Sequence, residues 1–296
     1  AAMAVMGRDL KLSTSRIAGY RNFGTKLWNA ARYAELNKCY VNKDFDPQSV
    51  KSTLNKWIVG ETARFKETID NALTNYRFND AAQVAYNHIW KKFCDWYVEF
   101  SKPLLSGDDR KVKLETQCTM AWALDQSLIL IHPIMPFVSE EIWGILTQRS
   151  KMLIHTDWPN YTVEQLESKA SDKQMEWIIG LIEQIRSLRT ELGVPPGAKI
   201  DLFIVELEKR FESLIIENSM IIRSLARLSG ISKLDSSVKG TVIITVEGGE
   251  FVLKVADFIN IPGEKSRLEN GIDKIEKEAK ALKNKLANTK FIDNAP

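Results

Sequence analysis

Across residues 14–144 the apolar positions recur every three to four residues, and short polar or proline-bearing breaks divide them into four long segments. The spacing predicts a helical bundle. The breaks fall at 42–47, 75–79 and 102–109. Asp46 before Pro47 and Asn79 before Asp80 are expected helix starts. The fourth helix should end between Ile131 and Pro136, where two prolines cannot continue a regular ladder. Residues 151–171 have no clear period and read as a linker. Beyond them a helix is expected over 175–192, broken by GVPPG at 193–197, then a strand over 199–206 and a second helix over 211–228. Residues 241–246 and 251–255, flanking Gly248-Gly249, carry a hairpin signal. After Pro262-Gly263, Leu268, Ile272, Ile275, Ala279, Leu282 and Leu286 are spaced alternately by four and three, a heptad seam. The expected class is mainly α: a helical bundle (1–150), a linker (151–171), a small α+β module (172–260) and a coiled-coil helix (261–296).

Projected at about 100° per residue, the helix over 17–36 puts Ile17, Tyr20, Gly24, Leu27, Trp28 and Ala31 on one arc, expected to face the bundle. The other arc holds Arg21, Asn22, Thr25, Lys26, Asn29, Arg32 and Tyr33 without one acid, and Phe23 stands at its border. Cations for phosphates, amides for base edges and a ring for an unstacked base are what single-stranded RNA recognition needs. By pattern alone the same face also reads as solvated helix surface beside a core phenylalanine.

Charge sharpens this picture only locally. The whole chain carries +3, too mild to argue for nucleic acid, but residues 1–60 hold ten basic residues against four acids, a local +6. Three scattered cysteines argue against a disulfide framework and set the cytoplasm as the expected compartment. Three histidines without close Cys or His partners predict no metal site. No apolar run reaches the roughly 18 residues of a membrane span, and no secretory leader is seen. The opening Ala-Ala without an initiating Met reads as an excised piece.

The string GRDLKLSTSRIAGYRNFGTKLWNAARY resembles the start of the anticodon-binding helical bundle of valyl-tRNA synthetases, where RNF-x-x-K-L-x-N-A-x-R opens the domain. The likeness continues through DWYVEFSKP (95–103), HPIMPFVSEEIW (132–143), GVPP and the terminal heptads. Leucyl and isoleucyl enzymes share the HP-x-x-P-F-x-x-E-E-x-W theme, which therefore gives only the class. RNFGTKLWNAARY with the heptad terminus points to the valyl member. The resemblance implies that Phe23 stacks on an anticodon base, Arg21 and Asn22 contact base or backbone, and Lys26 and Arg32 hold phosphates. Arg16 and Asn29 are counted with them, Asn29 with packing as its other reading. From Glu264 to Lys290 eight basic residues face five acids, and Lys274, Lys277, Lys280, Lys283 and Lys285 are expected at the outer corner of tRNA, or as plain solubilising charge.

The resemblance further implies a partner, tRNA with a valine anticodon, and an N-terminal catalytic part that joins valine to it with ATP and Mg²⁺. This stretch is expected to hold no catalytic residue and no cofactor, and to be monomeric. The returning helix of the family's coiled coil is missing here, so the seam should form an exposed apolar stripe that could self-associate. The rival reading is a protein-interaction scaffold that dimerises through the heptad helix. KLSTS at 11–15 lacks the second lysine of the KMSKS signature, adjacent Glu140 and Glu141 point apart on a helix, and Trp90, Trp96, Trp122 and Trp143 read as core.

Overall fold

The computed structural model describes residues 13–147, 149–234, 239–258 and 261–287. They divide into two compact units, Ala1–Ile179 and Gly180–Pro296. No helix among the described residues is long and apolar enough to cross a membrane.

The first unit is helical. It contains α1 (Thr14–Leu36), a 3₁₀ turn (Pro47–Ser49), α2 (Thr53–Thr74), α3 (Phe78–Tyr86), a π-helical segment (Asn87–Tyr97) running on into α4 (Val98–Ser106), α5 (Arg110–Ile131) and α6 (Pro136–Leu146). The four expected segments are thus α1, α2, the run from α3 to α4, and α5. Asp46 caps only the 3₁₀ turn, accepting from the Gln48 amide at 2.9 Å. The opening of α2 is served instead by Glu115 of α5, whose carboxylate accepts from the Lys51 and Ser52 amides at 2.9 and 3.0 Å. Pro136 does more than close the preceding helix, since it is the first residue of α6. Helix α1 stops in a Schellman turn: Lys38 takes φ 59°, its amide donates to the Glu35 carbonyl, and the Cys39 amide donates to the Ala34 carbonyl, both at 2.9 Å.

Trp57, Phe93, Tyr97, Leu124 and Leu128 fill the centre of the bundle. The polar groups drawn in with them are paired, as burial demands. The Tyr97 hydroxyl donates to Asn55 Oδ1 at 3.1 Å, and Asn55 Nδ2 donates to Glu115 Oε1 at 2.8 Å and Thr116 Oγ1 at 3.1 Å. Nearer α6, Arg149 donates through Nη1 and Nη2 to the two oxygens of buried Asp125, at 2.8 and 2.6 Å. Its guanidinium lies 3.7 Å from the centre of the Trp143 ring.

The stretch 151–171 is no free linker. Leu153 and Leu166 are buried, Leu166 beside Val50, Val59 and Ala63. Glu140 accepts from the Leu153 and Ile154 amides, at 2.7 and 3.2 Å, and the Trp158 indole donates to Asp70 at 2.8 Å. Its apolar residues lack a period because each meets a different part of the bundle. A short α7 (Val163–Leu166) closes it with a capping box.

Helix α8 (Lys169–Glu191) contributes residues to both units, so the predicted module boundary at 172 moves to Gly180. The second unit adds β1 (Ile200–Leu207), α9 (Lys209–Ala226), β2 (Leu228–Lys233), β3 (Thr241–Val246) and β4 (Gly249–Lys254), in the sheet order β2-β1-β4-β3. β1 and β2 are parallel across α9, and β4 pairs antiparallel with β1 and β3. Buried Arg189 fixes the GVPPG turn by donating to the carbonyls of Ala198, Pro195 and Arg227 at 2.8, 3.4 and 3.3 Å. The β3–β4 hairpin turns at Gly248, which takes φ 66°; a Cβ there would stand 2.6 Å from the Phe211 ring and 2.8 Å from the Glu208 carboxylate. Gly248→Ala is therefore expected to destabilise the second unit by about 1–3 kcal/mol. A far-UV CD melt of that variant matching the unsubstituted chain would refute this account of the turn. Helix α10 (Ile261–Leu286) follows, with Ile272, Ile275, Leu282 and Leu286 each more than half exposed, which is the open apolar stripe that the heptads predict.

Candidate nucleic-acid interface

The face that α1 buries coincides only in part with the one its apolar residues suggest, Leu27 and Ala31 being common to both. Phe23, Leu27, Ala30, Ala31 and Ala34 are buried, whereas Ile17 and Tyr20 are 53% and 43% exposed. Three alanines mark where α1 approaches its neighbours most closely, and small side chains carry little weight in a hydrophobic projection. The outward arc keeps Arg21, Asn22, Thr25, Asn29 and Arg32 exposed. Arg21 and Arg32 form no ion pair among the described residues.

Two expected contact residues turn out otherwise. Phe23 is 5% exposed and packs against Tyr86 and Trp90, with ring centres 5.3 and 6.4 Å away, so in this structure it is core and offers no free face to a base. Lys26 is paired with Asp95, and its ammonium sits 3.8 Å over the Trp90 ring. A lysine clasped in this way is not free to hold a phosphate unless Asp95 gives it up. Trp90 and Asp95 are five residues apart, and on a regular α-helix they would point about 140° away from each other. The i→i+5 bonding of the π segment brings them into line, so the clasp depends on that local geometry. No local signal in the sequence announces a partner 69 residues away.

Tyr33, at the edge of the same arc, is half-buried, and its hydroxyl titrates above the usual value because burial outweighs its hydrogen bond with Ser101. The Arg16 side chain lies outside the described residues. On α10, Lys274, Lys277, Lys280 and Lys283 are exposed, while the side chains of Leu268 and Lys285 also lie outside the described residues.

On the opposite flank of the π segment, His88 is buried and stacked on Phe65, ring centres 4.3 Å apart. Burial first, then the charges of Lys92 and Arg64, depress its pKa to about 3. Burial also pushes the Cys39 and Cys94 thiols up to about 12, which leaves them poor nucleophiles. Among the described residues no three His, Cys, Asp or Glu side chains gather to hold a metal ion.

Comparison with known proteins places this surface in context. A family model described as the anticodon-binding domain of tRNA ligase matches residues 55–204, just over half of the chain. The chain belongs to that family. Curated relatives extend the likeness to all of it, α1 included. A valine–tRNA ligase of Ruegeria pomeroyi is 46% identical over 302 residues and one of Cereibacter sphaeroides 47% over 297, each covering 100% of this chain. A valine–tRNA ligase of Caulobacter vibrioides is 39% identical over 99% of it. The chain spans about 29–33% of these relatives' own length. The family model's match begins at residue 55, so α1 is covered by the full-length relatives alone.

Proposed function

We propose that this chain is the tRNA-holding part of a valine–tRNA ligase, with the outward face of α1 as its RNA contact. The observation that carries the reading is the row Arg21, Asn22, Thr25, Asn29 and Arg32, five exposed cationic or hydrogen-bonding side chains on one arc without an acid among them. Guanidinium groups serve phosphates and amides serve unpaired base edges. The valine–tRNA ligase names of relatives that match the whole chain supply the substrate, tRNA with a valine anticodon. In the whole enzyme the anchored anticodon arm would fix the position of the acceptor end, so that binding energy far from the chemistry orients the reacting groups. Valine activation, with ATP and Mg²⁺, is assigned to the portion of the enzyme outside this chain. The α10 lysines would add a second, weaker contact.

The test is salt-dependent binding. Transcribed tRNA with a valine anticodon should bind this chain with log K falling linearly in log salt. Arg21→Ala with Arg32→Ala should lower that slope by about two, one for each lost phosphate contact. An unchanged slope and affinity in the double variant would remove α1 from the interface. The open seam of α10 favours a separate reading, self-association through the arm, and sedimentation of the chain with and without Leu282→Glu distinguishes it.

A further inference from the structure

The π segment carries a second basic site that the α1 row does not include. Between it and α2 lies a pocket of about 390 Å³, whose lining includes Glu61, Arg64 and Thr68 of α2 and Asn87, His88, Lys91 and Lys92 of the π segment. The i→i+5 helix sets residues four and five apart above one another, which stacks Lys91 and Lys92 over Asn87 and His88. Lys91 is exposed and makes no ion pair among the described residues, and Lys92 reaches Glu61 only at 3.5 Å. Glu61 is drawn more closely to Arg64, at 3.1 Å, and Arg64 also makes a two-pronged pair with Asp172 at 2.9 and 3.0 Å. Arg64 therefore walls the pocket as a satisfied charge, and the cationic capacity left to a ligand is that of Lys91, with Lys92 held loosely by Glu61. Gln83 occupies the Asn87 side-chain oxygen at 3.3 Å, which leaves the Asn87 amide nitrogen as a donor. His88 forms the floor; its Nε2 is buried and has no hydrogen-bond partner. The site thus offers two ammonium groups and an amide donor, against one acid already shared between two cations.

We propose that this pocket binds a backbone phosphate of the same RNA, one helix beyond the α1 face. The proposal rests on the RNA reading given above. A phosphate there would meet Lys91 and Lys92 from above and Asn87 from the side, charge-assisted bonds of the kind phosphate oxygens favour.

Lys91→Ala with Lys92→Ala should lower the slope of log K against log salt by about two, which corresponds to a roughly tenfold smaller loss of affinity between 50 and 200 mM salt. Lys91→Glu alone, at an exposed position, should weaken binding at 100 mM salt several-fold with an unchanged far-UV CD spectrum. The His88 imidazole resonances should shift as tRNA is added. If Arg21→Ala with Arg32→Ala weakens binding while the lysine variants leave slope and affinity intact, the pocket proposal is overturned and the α1 reading stands. If neither pair matters, the RNA reading fails and takes this proposal with it. If inorganic phosphate at millimolar concentration shifts His88 and tRNA does not, the pocket serves a free anion, and the RNA assignment is wrong.

Discussion

Removing the Asp125 carboxylate should cost the first unit about 3–5 kcal/mol, among the largest single-residue losses available to it. Asp125→Ala leaves Arg149 charged and largely buried, pinned between the Trp143 ring and an empty acceptor site. The penalty comes less from the lost attraction than from the stranded guanidinium, which keeps only the Trp143 carbonyl, accepting from Nε at 3.3 Å. Urea denaturation followed by tryptophan fluorescence measures this in the first unit, because all eight tryptophans lie within it. Asp125→Leu combined with Arg149→Met should recover most of the stability, since an apolar pair carries no desolvation penalty. A loss below about 1 kcal/mol in the single variant would mean that Arg149 simply swings into solvent, and that the pair is ornamental.

The second large effect is acid sensitivity centred on His88. Its folded pKa of about 3 lies far below the unfolded value near 6.5, so between those values the unfolded chain binds the extra proton. The stability from keeping His88 neutral is complete above pH 6.5 and is lost as pH falls toward 3. From pH 7.5 to 4.5 the loss should be about 3 kcal/mol, at roughly 1.4 kcal/mol for each unit below the unfolded pKa. Asp125 works in the opposite sense: burial, opposed by Arg149, raises its pKa, so its titration favours the folded state as acid is added. His88→Phe keeps a ring against Phe65 and removes the proton site, and its stability should vary far less over this pH range. Equal losses in both proteins between pH 7.5 and 4.5 would rule out His88 as the source.

Much of the architecture was legible. The long helices carry strong three-to-four periodicity, the hairpin carries its glycine, and Pro47 and Pro136 stand at breaks, whereas Pro103 lies inside α4. What escaped depends on distance along the chain. β2 is short, half polar and paired in parallel with β1, and nothing local separates it from the end of α9, where Arg227 turns the backbone at φ 54°. The 151–171 stretch hides its packing because Trp158 and Leu166 meet residues of α2 roughly ninety to a hundred positions earlier. At the candidate site the row of exposed polar residues was readable, since five of its members need only point away from the bundle. The fates of Phe23 and Lys26 were not, because both are decided by Tyr86, Trp90 and Asp95 on another helix.

The π segment has one further consequence, for how this domain can change in length. Loops tolerate gained or lost residues, but a residue deleted within Asn87–Tyr97 would rotate α4 by about 100° relative to what precedes it. Val98, Phe100, Ser101 and Leu105, all buried now, would then leave their places together. The number of residues in that segment is held by both flanks at once.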